Sequence, residues 1–301
     1  MLFLIGSILL SGFLTIAFKF CDRYGINKFQ AIVCNYAVCT ITGSLFSGSI
    51  PSFGRAAGEP WFKWSLLMGL FFIASFNLIA ITVQKSGLAI AAVASKTSLV
   101  IPFIFSVMLY GESASLATII GIVLALVAVV LTVWPAARYA GTEPAGRNTA
   151  GVLLPILVFL GTGLLDALIK YVEQNFINPA NNNAYLINTF AVAFVLGFLL
   201  LLYQLLVGGQ FQRKALLAGI VIGIPNYFSI WCLMKVLKQY SNFSSVVIPV
   251  NNMGIVLLSA LVAWLFFHEK LTRYNWIGIV LAILAVLLIA LGTQTNYNGL
   301  L

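Results

Sequence analysis

Residues 94–131, ASKTSLVIPFIFSVMLYGESASLATIIGIVLALVAVVL, and residues 244–288, SSVVIPVNNMGIVLLSALVAWLFFHEKLTRYNWIGIVLAILAVLL, state one arrangement twice. In each, a long apolar run meets a short turn carrying a glutamate, Glu112 or Glu269, and a second apolar run follows with a glycine, Gly121 or Gly278. Both pairs are 157 positions apart. Further out, Gly12 and Lys19 return as Gly163 and Lys170, 151 positions on, and Lys85 returns as Lys235, 150 positions on. Leu, Ile, Val and Phe without strict alternation fit helices better than the strands of a membrane barrel. The same runs absorb glycine as a close-packing point, as at Gly219 and Gly223.

Composition says what surrounds those helices. Of 301 residues, 61% are hydrophobic and 8% charged, with a mean hydropathy of +1.06. A soluble domain is about a quarter charged, so this chain needs lipid as its solvent. The net charge of +9 is scattered through short connections, which fits anionic headgroups and excludes a nucleic-acid footprint. Cys21, Cys34, Cys39 and Cys232 form no CxxC motif and read as small packing residues. The opening Met1-Leu-Phe-Leu-Ile has no basic flank or small-residue cleavage site, so it reads as a first span.

Ten runs reach the roughly 17–25 residues that cross a bilayer: 2–20, 29–48, 62–83, 88–109, 114–134, 150–170, 184–206, 215–236, 243–266 and 273–292. The segment 135–149, PAARYAGTEPAGRNT, falls midway and reads as a linker. Residues 1–140 and 141–301 then form two five-helix repeats, and an odd number of spans per repeat inverts the second against the first. Lys and Arg number ten in or beside the odd-numbered connections and five in or beside the even ones. By the positive-inside rule that bias places both termini outside the cytoplasm.

A charge at the centre of a membrane helix costs about 2.5–3.5 kcal/mol on insertion scales, so each marks a candidate site. Lys96 lies eight residues into its span, about 12 Å deep by helical rise, among Ala91, Ala92, Ala94, Ser95, Thr97 and Ser98. No acid lies within one turn of it. It reads either as a cation facing a substrate or as a lysine whose long stem carries its ammonium to an interface or a carbonyl. Asp166 is one turn from Lys170, which points to mutual neutralisation. It is also the acid this reading places well inside a span, hence the candidate for a coupling proton. Lys19, Lys170, Glu112 and Glu269 read as structural charges at helix ends and turns, the glutamates where a helix begins. His268 reads as a solvated loop residue.

Asn77, Asn226, Asn251 and Asn252 fall in apolar spans, where an unpaired amide is costly, as do Asn35 and Asn188. Asn77 and Asn226 are 149 apart, in the third span of each half. Together with Tyr227, and with Pro225 and Pro249 freeing carbonyls nearby, they outline a polar cavity as the substrate site; interhelical hydrogen bonding is the plainer reading of any single asparagine.

The quoted stretches, ten spans and two repeats resemble the drug/metabolite transporter superfamily in its EamA-like branch. The resemblance covers essentially the whole chain. It implies a secondary transporter of a small polar metabolite (amino acid, organic anion or sugar-like), an exporter in a bacterial inner membrane, working by alternating access around a cavity between repeats. It also implies cytoplasmic termini, opposite to the lysine and arginine bias. The partners expected are that small molecule and the bilayer, with no nucleic acid; oligomeric state is left open. No cofactor or metal is implied, and coupling to a proton or another ion is the available driving force. Seven acids, none adjacent and none in a DxxxD set, no HExxH and no Walker A sequence argue against a membrane-embedded enzyme. A passive channel needs no signature and is the alternative.

Overall fold

The computed structural model describes residues 2–86, 88–110, 115–139, 149–240, 244–267 and 272–298. Among them the secondary structure is helical: α1 Leu2–Arg23, α2 Lys28–Ser47, α3 Phe53–Ala56, α4 Phe62–Ser86, α5 Leu88–Thr97, α6 Val100–Tyr110, α7 Leu116–Tyr139, α8 Thr149–Phe176, α9 Asn182–Leu206, α10 Arg213–Gln239, α11 Ser244–Phe267 and α12 Arg273–Asn298. Five carry spans long and apolar enough to cross a membrane: Lys28–Ser47, Phe62–Ile79, Leu153–Phe176, Asn182–Leu206 and Arg213–Gln239. Shorter apolar stretches lie at Leu2–Phe18, Val93–Leu109, Leu116–Leu131, Val246–Val262 and Arg273–Ile289. The chain is an all-α, multi-pass membrane protein.

The side chains are distributed as lipid requires. On α12, Trp276, Ile277, Val280, Ile283, Leu284 and Leu287 are exposed, while Ala282 and Ala285 are buried. Large apolar groups can face outward because lipid tails solvate leucine as well as a core does, and small residues among the buried ones allow close backbone approach.

Two compact units form. The first comprises Met1–Asn77 and Tyr171–Gln239. In it α10 packs on α1 and α2, and α2 on α9. The contact of α10 with α2 runs through Gly219 and Gly223: an added Cβ would lie 2.3 Å from Cys34 Cβ and 2.6 Å from Val38 Cβ. The small-residue spacing in α10 is therefore a helix–helix contact. α2 begins at Asn27, whose side chain accepts from the Gln30 amide, and ends at Gly48 with φ 67°.

The second unit comprises Leu78–Lys170 and Tyr240–Leu301. α7 lies along α12, α5 packs on α7, and α11 meets α6, α7 and α12. Its buried core includes Leu99, Ile122, Ala125, Met253, Val256 and Ile289. Gly121 admits α12, where a Cβ would lie 2.6 Å from Ile289 Cγ1. Each unit thus takes helices from both halves of the sequence.

The repeat at a spacing of 157 extends to helix starts. Ser115 Oγ accepts from the Thr118 amide at 3.2 Å, and Thr272 Oγ1 accepts from the Asn275 amide at 3.3 Å. These two N-caps open α7 and α12. Glu112, Glu269 and His268 lie outside the described residues, as does 140–148 of the expected linker.

The expected spans change by a break and by extension, the fifth running on to Tyr139 and the tenth to Asn298. The run 88–109 is not one helix but two, α5 and α6, parted at Ser98-Leu99. Pro102 is the cause: it has no N–H for the Ser98 carbonyl, which accepts instead from the Ile101 amide at 2.9 Å. Hydroxyls take up other carbonyls of the last α5 turn: Thr97 donates to Val93 O at 2.8 Å and Ser98 to Ser95 O at 2.7 Å. Pro225 and Pro249, by contrast, sit inside continuous helices. The sixth span, expected to end at 170, continues to Phe176.

Candidate functional site

The break places Lys96 in the last turn of α5. α8 is drawn against it by small and hydroxyl side chains. Gly163 packs on α6, where a Cβ would lie 2.4 Å from Ile101 Cδ1. Thr162 Oγ1 donates to its own helix at Val158 O, 2.7 Å, and lies 3.5 Å from Ser95 O of α5. One turn on from Thr162, Asp166 follows on the same face of α8.

Asp166 Oδ2 accepts from Asn252 Nδ2 of α11 at 3.0 Å, and its charge interacts with that of Lys96. The two ionisable groups, 70 positions apart in sequence, lie within electrostatic reach of each other in the second unit. Both are half-buried. Beside Asn252, Asn251 is buried and its side-chain oxygen has no hydrogen-bond partner. The result is a cation, a carboxylate and the Asn252 amide on three elements, with a helix break and a glycine contact beside them. Such a set offers a donor and an acceptor of full charge to one small ligand.

Lys170, expected at a helix end, is fully buried one turn further along α8, where Nζ donates to Ser106 Oγ of α6. Ser106 in turn donates to Pro102 O at 2.6 Å. Of Lys19, the backbone in α1 is described and the side chain is not.

The remaining expected site residues belong to the first unit. Asn226 Nδ2 donates to Asn35 Oδ1 at 3.1 Å, joining α10 to α2, and Cys39 Sγ donates to Gly223 O at 3.2 Å. Tyr227 is fully buried among the rings of Phe46, Phe190 and Phe228. Asn77 Nδ2 donates to Ile73 O of its own helix at 2.8 Å. Glu173 is an additional buried acid, with Lys238 Nζ 3.9 Å away. Ending the sixth span at Lys170 hid it; its position one turn past Lys170, between apolar Val172 and Phe176, was the available signal.

The described residues thus form a multi-pass helical membrane protein with ionisable groups within its helices. The model of the EamA-like transporter family matches residues 149–291. A Haemophilus influenzae protein named only as uncharacterised is 26% identical over 296 residues, covering 94% of this chain and 95% of that protein. A crystal structure at 17% identity superposes with a TM-score of 0.75 over 96% of each chain, which shows a common fold. Over residues 149–291 the chain is thus similar to the EamA-like transporter family of the drug/metabolite transporter superfamily, and a general role in membrane transport fits that match.

Proposed function

We propose that this protein is a secondary exporter of a small zwitterionic metabolite, of the amino-acid class, in a bacterial inner membrane. The observation that carries the reading is the Asp166 carboxylate inside its helix, hydrogen-bonded by Asn252 and within electrostatic reach of Lys96. A carboxylate on the ligand faces Lys96 and an ammonium faces Asp166, so each buried charge keeps an opposite partner. Asn251 and Asn252 orient the polar groups, while Asn77, Asn226 and Tyr227 hold their helices in the first unit.

Coupling follows from the same pair. A proton on Asp166 removes the acceptor that the ligand's ammonium needs, so proton and ligand compete for one carboxylate. Competition at a shared site gives exchange, and an inward proton gradient then drives the metabolite outward. Alternating access is the transport cycle we propose, and the reading of ten spans in two inverted repeats, 1–140 and 141–301, favours it.

The test is flux into proteoliposomes of the purified protein, with a panel of amino acids, organic anions and sugars. Saturable counterflow of a zwitterion, with opposed proton movement, is the expected result. Flux that neither saturates nor shows counterflow would identify a channel.

A further inference from the structure

A groove of about 460 Å³ runs between α1 and α10 in the first unit. Phe13, Ala17, Phe20 and Tyr24 line it from α1, and Lys214 and Ala218 are among those lining it from α10. Residues spaced at three and four along each helix form one stripe apiece. The floor is low because Ala17 and Ala218 are small; Phe13, Phe20 and Leu217 stand up exposed as its walls.

One end of the groove is basic. Arg23 closes α1 and Arg213 opens α10. The Asn27 amide donates to Gln212 Oε1 at 2.8 Å, and the Gln212 amide donates to Gln30 Oε1 at 2.7 Å, so the two helix ends are tied together. Arg23, Arg213 and Lys214 are all exposed there, against one acid nearby in the sequence, Asp22. Tyr24 lies at the same end, 62% exposed, its ring stacked on Phe20 at 6.4 Å, an amphipathic group of the kind that sits at headgroup level.

Length completes the argument. From Phe13 to Tyr24 the helix rises about 16 Å. One leaflet is half of the roughly 30 Å hydrocarbon core. The groove is therefore one acyl chain long and has cations only where a headgroup would be.

We infer that the groove between α1 and α10 is a binding site for one anionic phospholipid, its acyl chain along Ala17 and Ala218 and its phosphate on Lys214 and Arg213. The site is separate from the charged pair of the second unit and does not depend on what is transported.

Native mass spectrometry of the full chain in detergent, with dioleoyl phosphatidylglycerol and dioleoyl phosphatidylcholine, tests this. The expected result is about fivefold tighter binding of the glycerol lipid, the worth of roughly one basic contact at an anionic surface. Arg213→Gln with Lys214→Gln removes that preference, weakening phosphatidylglycerol more than phosphatidylcholine. Lys214→Arg keeps the preference, and so does Lys63→Gln, a basic residue elsewhere. Ala218→Trp fills the groove and weakens both lipids. Equal binding of the two lipids by the native protein, or a preference that survives the double substitution, would overturn the inference. So would glycerol phosphate competing as well as the whole lipid.

Discussion

Lys96 and Asp166 illustrate why an intramembrane charge is tolerable only in company. Alone, each would carry the full insertion cost; together, with Asn252 on the carboxylate, they form a set whose net charge is small. Lys96→Ala should weaken ligand binding about 10- to 100-fold, the worth of a charge-assisted hydrogen bond of about 1.5–3 kcal/mol, measured as the concentration giving half-maximal counterflow. Asn252→Leu removes a donor from the same carboxylate and should shift the same midpoint about tenfold. The Asn35–Asn226 hydrogen bond is a different case. A double-mutant cycle to alanine should return a coupling of about 0.6 kcal/mol in unfolding, with counterflow of the double variant retained. Asn226 was readable as a polar residue in an apolar span. Its partner was not, because 191 positions separate the two.

At the scale of the element, the break between α5 and α6 is the feature that matters. Pro102 opens it, and the Ser98 hydroxyl covers the Ser95 carbonyl, which the break frees. Pro102→Ala restores an N–H for Ser98 and should lengthen the helix. The expected outcome is a protein at least as thermally stable, with slowed exchange, read by melting and by initial rates. Gly163 sets how near α8 comes. Gly163→Ala forces Ile101 aside and should cost about 1–3 kcal/mol; Gly58→Ala, with nothing within 4 Å of its added Cβ, serves as the neutral control. Most helices could be read from run length and small-residue spacing. The break could not be read from hydropathy, which stays apolar across Val93–Leu109, although Pro102 held the clue. The extension of α8 was missed for the opposite reason: Lys170 and Glu173 interrupt the apolar run while the helix continues through them to Phe176.

For the whole molecule, sequence kinship and compact packing divide the chain differently. The duplicated pattern relates residues near 12–121 to residues near 163–278, whereas each compact unit draws on both halves. Equivalent helices from the two halves, α7 and α12, pack side by side, and their caps Ser115 and Thr272 are 157 residues apart like Glu112 and Glu269. The proposed site falls where the repeat fails: Lys96 has no lysine counterpart, and Asp166 comes from a helix whose repeat mate has no acid at the matching place, Thr15. Which asparagines join that pair was not legible, because Asn226 and Asn252 look alike in sequence and differ only in what folds against them.

Counterflow in proteoliposomes, with proton movement recorded in parallel, bears most directly on the role of the charged pair. Native protein should exchange its zwitterion against protons; Asp166→Asn should still exchange ligand for ligand, with weakened affinity, but should move no proton with it. An Asp166→Asn protein that keeps native proton-driven export would contradict the account.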